Sequence, residues 1–162
     1  MKAVALLVLA VVALLPLPLV ADDTLVRFQG GIGVDPASTV GTPNVVRGVN
    51  PPGQLWRIDD LRAEVKIDGS ITVDGRGLLL AGGNSIGTTA NVKVFATLIC
   101  EAAAPFAEHS TNAAGVALEP NGDFRIDDIL SPPPTGCASP VLLIRNTANR
   151  AWFAAGIRRF ED

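Results

Sequence analysis

The sequence predicts an all-β domain, an antiparallel β-sandwich of jelly-roll or immunoglobulin-like type, with a partly open barrel as the alternative. Three observations lead there. After residue 21 apolar residues recur with period two, and no stretch sustains a 3.6-residue apolar pattern over three turns. The 16 glycines and 12 prolines among 162 residues cut the chain into short runs. A hydrophobic content of 48 % is too high for a disordered chain and sufficient for one folded core.

Thr24 to Gln29 and Leu55 to Ile58 are the first candidate strands. Leu61-Arg62-Ala63-Glu64-Val65-Lys66-Ile67 is the clearest, with apolar residues at odd positions and charges at even ones, one face dry and one wet. Ile71 and Val73 resume on odd positions, so an antiparallel pairing of the two odd sets needs a loop of odd length. Ile67-Asp68-Gly69, with Gly69 left-handed, supplies it. Leu78 to Ala81 and Asn91 to Cys100 are further apolar runs, while Ala and Glu around Pro105 allow one helical turn between Glu101 and His109. Val116 to Glu119 and Asp123 to Ile126 read as a second hairpin about Pro120-Asn121-Gly122, with Leu118 opposite Phe124 and Val116 opposite Ile126. Val141 to Arg145 follows, then Ala151 to Ile157, which is apolar on both parities and so predicts a central strand. The total is about nine short strands joined by turns.

Trp56-Arg57-Ile58-Asp59-Asp60-Leu61 and Phe124-Arg125-Ile126-Asp127-Asp128-Ile129 share a pattern. In both, apolar parity changes at the Asp pair, which places Asp59-Asp60 and Asp127-Asp128 at strand corners or bulges. A two-fold repeat explains the similarity, and so does shared turn chemistry.

Met1-Lys2, the apolar run Ala3 to Leu15, Pro16, Pro18 and a small Ala21 before Asp22-Asp23 have the order of a secretory signal peptide, residues 1–21, leaving a single domain over 22–162. A retained anchor is the rival reading, but Pro16 and Pro18 end a helix short of the roughly 20 residues that span a bilayer. Cleavage after Ala21 leaves 12 basic against 16 acidic groups, a charge of −4, and no membrane span. That balance disfavours a nucleic-acid partner. Cys100 and Cys137 are the two cysteines, and in an exported chain they predict a disulfide over two buried thiols. The export signal, this pairing and the lack of an Asn-X-Ser/Thr sequon suit a bacterial protein outside the cytoplasm, in the periplasm, at the cell surface or secreted.

Gly83-Asn84-Ser85-Ile86-Gly87 matches the G-x-S-x-G elbow of serine hydrolases, yet the β-branched residues that follow do not continue as the helix an elbow needs. Its one candidate base, His109, sits in the polar run Glu108-His109-Ser110-Thr111, where exposure is expected, and a single His builds neither a two-His metal site nor a zinc centre. Asp59, Asp60, Asp127 and Asp128 are calcium candidates, set against the commoner work of such carboxylates in accepting turn N–H groups. Trp56 and Trp152 would serve a glycan as stacking platforms, or fill the core beside their apolar neighbours. Ser131-Pro132-Pro133-Pro134-Thr135-Gly136-Cys137 begins a stiff loop over 131–140 that is either a pre-organised docking surface or a plain connection. Without a credible catalytic constellation, the chain reads as a non-catalytic binding or structural module needing no cofactor. Its expected ligand is an extracellular glycan or the cell envelope. The alternative is a protein partner, as for a protease inhibitor, held through Pro132, Pro133 and Pro134, with a hydrolase using Ser85 behind both.

Overall fold

The computed structural model describes residues 22–160. The predicted signal peptide lies outside the described residues. Thirteen strands and no helix are present among them. They are β1 Thr24–Gly33, β2 Ala37–Thr39, β3 Thr42–Pro43, β4 Trp56–Arg57, β5 Asp60–Lys66, β6 Ser70–Arg76 and β7 Leu79–Leu80. After these come β8 Lys93–Ile99, β9 His109–Ser110, β10 Val116–Ala117, β11 Phe124–Ile129, β12 Val141–Asn146 and β13 Trp152–Arg158.

One sheet dominates, in the order β10-β8-β12-β13-β1-β5-β6-β11 with β9 beside β8, and every pairing in it is antiparallel. Its two ends curl towards each other, which makes a nearly closed barrel, the partly open form of the expected all-β class. Val26, Phe28, Leu61, Val65, Ile71, Val73, Leu98, Leu142, Ile144 and Ile126 fill the single core. As predicted, β13 is central, between β12 and β1. The small pairs β2–β3 and β4–β7 lie outside this sheet.

The first hairpin follows the parity argument. Val65 pairs with Ile71 and Ala63 with Val73, the loop is 67–69, and Gly69 stands at φ +88° with its N–H bonded to Lys66 O at 3.0 Å. The second hairpin keeps its expected turn, with Glu119 N–H to Asp123 O at 2.9 Å and Gly122 at φ +86°. The expected ladder above it is absent, because Val116 pairs with Val94 of β8 and Ile126 with Val73 of β6. Parity states which faces match and leaves the neighbour open. Here the two arms part and become the two edges of the barrel. At the other end of this seam the Asn112 N–H donates to Asp128 Oδ2 at 2.8 Å, a side-chain bond in place of a ladder.

Three further expectations need correction. No helical turn forms between Glu101 and His109, since Glu101 Oε2 instead accepts the Ala107 N–H at 3.1 Å and the chain runs on into β9. Asp127 and Asp128 sit inside β11 in unbroken register with Thr72 and Ile71, so only the Asp59-Asp60 pair marks a corner, between β4 and β5. The even-numbered face of β11 stays inward through Leu130, which leaves Ile129 exposed.

Strands β8 and β12 are buried on both faces. The segments 34–55 and 101–110 and the corner of β4 cover the outer side of β8, β12 and β13. Trp152 Nε1 donates to Asn44 O at 2.9 Å, the Trp56 and Phe153 rings stack at 4.1 Å, and Thr97 Oγ1 lies 2.9 Å from Ser110 Oγ. Strands β5, β6 and β11 turn charged residues to water instead, in a pattern of cross-strand pairs such as Arg125–Asp74 at 2.7 Å.

Candidate functional site

The two turns that follow β5 and β11 meet at one end of the barrel, where the loop 131–140 crosses it. Leu130 N–H bonds Gly69 O at 2.9 Å, tying the Pro-rich loop to the first hairpin. Ser131 and Ser110 exchange two backbone bonds of 2.9 and 3.3 Å, which joins the loop to β9. Pro132 O lies 2.7 Å from His109 Nδ1, and since a carbonyl only accepts, Nδ1 carries the proton. Cys137 closes a disulfide with Cys100, as expected, and Ser139 N–H bonds Cys100 O at 3.0 Å. Arg47 Nη2 donates to Ser139 Oγ at 2.9 Å, with its guanidinium over the Phe106 ring.

Pro134 is buried by this bracing, whereas Pro132 and Pro133 remain exposed. Beside them Ile67 and Ile129 are 60 % and 62 % exposed. Pro133 packs directly on Gly69, two residues from Ile67, and Ile129 pairs with Ser70. Four apolar side chains thus stand in water on backbone fixed by hydrogen bonds and a disulfide, the arrangement that loses least entropy when a partner covers it. The flanking charge is fixed too. Ser70 N–H holds the Asp68 carboxyl below its usual pKa, and the hydrogen bond to Asp23 raises that of Lys66.

The other candidate residues fall elsewhere. Trp56 and Trp152 are 5 % and 3 % exposed, so neither ring offers a face to a sugar. Ser85 is exposed in a turn whose carbonyl accepts from Thr88, and no helix follows to aim its hydroxyl. His109 is not in an exposed loop: it is 9 % exposed in β9, and its ring Nδ1 is turned to Pro132 O and not to Ser85. Among the described residues no three His, Cys, Asp or Glu gather to hold a metal. Asp60 lies opposite Arg76 and Asp127 opposite Thr72, four residues apart along β6 and so about 13 Å distant. Asp59 bonds Arg57 and Asp128 bonds Asn112.

Residue-by-residue reading missed Ile67 and Ile129 as surface groups. Ile67 was legible as an apolar residue inside a three-residue loop. The exposure of Ile129 follows from continuing the parity of Phe124 and Ile126, once the Asp pair is not taken for a corner. Arg145 was also missed. It is 5 % exposed and donates to Glu108 at 2.7 Å, Thr97 Oγ1 at 3.3 Å and Arg150 O at 2.8 Å, with Phe95 beneath its guanidinium. It fastens the 101–110 segment to β8 and β12.

The cavities are shallow. The apolar one, about 470 Å³, is lined by Pro36, Pro43, Pro51 and Pro52. Two polar ones, about 350 and 420 Å³, share Arg62 and Asp74 on the charged face. Comparison with protein-family models, with curated proteins and with solved structures finds no match to this chain.

Proposed function

We propose that this chain is an exported, non-catalytic module that docks a protein partner through the barrel end formed by Pro132, Pro133, Ile67 and Ile129. The observation that carries the reading is an exposed apolar cluster on a loop braced by His109, Ser110 and the Cys100–Cys137 disulfide. Export is supported by the disulfide and by the order of residues 1–21, with cleavage after Ala21, and a bacterial source fits that signal together with the paired cysteines and the lack of an Asn-X-Ser/Thr sequon. No helix among the described residues is long and apolar enough to cross a membrane.

The test is a photo-reactive residue at position 133 of the full chain, expressed by cells that export it. A defined protein adduct at 133, and none from the same group placed at Ile86, is expected. Equal trapping at both positions, or none at 133, overturns the reading.

Glycan or cell-envelope binding keeps a separate footing on the charged face, where Arg62, Asp74, Gln29 and Arg125 line the two polar depressions and offer planar hydrogen-bonding groups. Retention on insoluble glycans that is lost in Arg62→Ala and kept in Ile67→Ser would favour it.

A further inference from the structure

We infer that the segment docked at this end is a basic polypeptide that presents aliphatic side chains flanked by Lys or Arg. The inference rests on the docking reading and adds the chemistry of the partner. Carboxylates rim the apolar cluster. Asp68 follows Ile67 in the chain and is exposed. Asp127 stands two residues from Ile129 on the same outward face of β11, about 7 Å away and well within a Debye length. Cations at that rim are already engaged. Lys66 Nζ is 3.2 Å from Asp23 Oδ2, and Arg125 is committed to Asp74 at 2.7 Å, reaching Asp127 only at 3.7 Å.

Two cations thus serve four carboxylates, Lys66 lying beside Asp23 and Asp68 and Arg125 beside Asp74 and Asp127, so an anionic partner would meet surplus negative charge as it covered Ile67 and Ile129, whereas a cationic one would offset it at the border of the contact. Charges so placed govern selection and association rate more than raw affinity. The apolar cluster itself is far smaller than the roughly 800 Å² per side of a stable protein pair, so a short segment rather than a domain face fits it.

The test uses two short peptides with the same leucine pattern, one carrying Lys and one Glu at the remaining positions, titrated against the full chain by fluorescence anisotropy. The Leu/Lys peptide is expected to bind at least about tenfold more tightly, the effect of about 1.4 kcal/mol. Ile67→Ser with Ile129→Ser should weaken it by a similar factor, Asp68→Asn with Asp127→Asn should bring the two peptides level, and Ile86→Ser should change nothing. If the Leu/Glu peptide binds equally well and still depends on Ile67 and Ile129, docking stands and the charge inference falls. If neither peptide responds to Ile67 and Ile129, both fall.

Discussion

Arg145 has the most to lose by substitution among the charged side chains. Its guanidinium is nearly dry while its partner Glu108 keeps 42 % of its side-chain surface in water, so only part of the 3–5 kcal/mol associated with breaking a buried pair applies. Arg145→Met should cost about 2 kcal/mol in urea unfolding, and Arg145→Lys should recover little, because an ammonium has no planar fork to reach Glu108, Thr97 and Arg150 together. Glu101 provides a second check at this scale. The Ala107 N–H holds its carboxyl below the usual range, and hydrogen bonds from Thr24 and Ser70 do the same for Asp22 and Asp68. Carboxyls lowered in the fold add stability that is complete above their ordinary pKa of about 4 and is lost as pH falls through the lowered values. Thermal midpoints should thus stay level down to about pH 5 and drop below about pH 4, with a shallower drop in Glu101→Gln. In the sequence, Arg145 is only a charge in an apolar strand. Its role depends on Glu108, Thr97 and Arg150, which approach it only after the sheet has formed, and no local pattern encodes that.

At the scale of elements, the Pro-rich loop combines a covalent tie at Cys137 with hydrogen bonds at Leu130, Ser131 and Pro132. The disulfide closes 37 residues, worth about 4 kcal/mol in the chain-entropy account, so Cys100→Ala with Cys137→Ala should lower the melting temperature by about 10 °C. Amide exchange should then rise most over residues 135–140, while Ser131, bonded both ways to Ser110, stays protected. The hairpin about Gly69 was legible because two facing strands of known parity permit one loop length. The hairpin about Gly122 was half legible: its turn is chemical and local, whereas the partners of its arms are set by how the barrel closes. Strands β2, β3 and β9 were illegible, being two or three residues long and strands only because a neighbour lies beside them. The cover over β13 left its mark in advance, since Ala151 to Ile157 is apolar on both parities, though nothing told which segment would cover it.

For the whole molecule, a sandwich and a partly open barrel share one strand list and differ only in whether the sheet ends meet. Here they meet across a seam that carries the turn about Gly122, the Asn112–Asp128 side-chain bond and the two backbone bonds between Ser110 and Ser131, with no ladder between β10 and β11. Leu130 N–H points to β6, so even-numbered amides of β11 face that neighbour and odd-numbered ones face the seam. Hydrogen exchange should accordingly be fast at Arg125 and Asp127 and slow throughout β12 and the buried half of β13. Uniform protection around the barrel would mean the seam is closed in solution.

The pairing of β1 with β13 also constrains when the fold can form. Phe28 meets Arg158, so the N-terminal strand lacks one of its two neighbours until nearly the whole chain is available. A chain threaded outward from its N-terminus would hold β1, β5 and β6 as an incomplete, one-sided sheet and could seal its core only when the last strand arrived. Such dependence on distant contacts slows folding and leaves an interval in which the hydrophobic faces of β1, β5 and β6 stand without their cover.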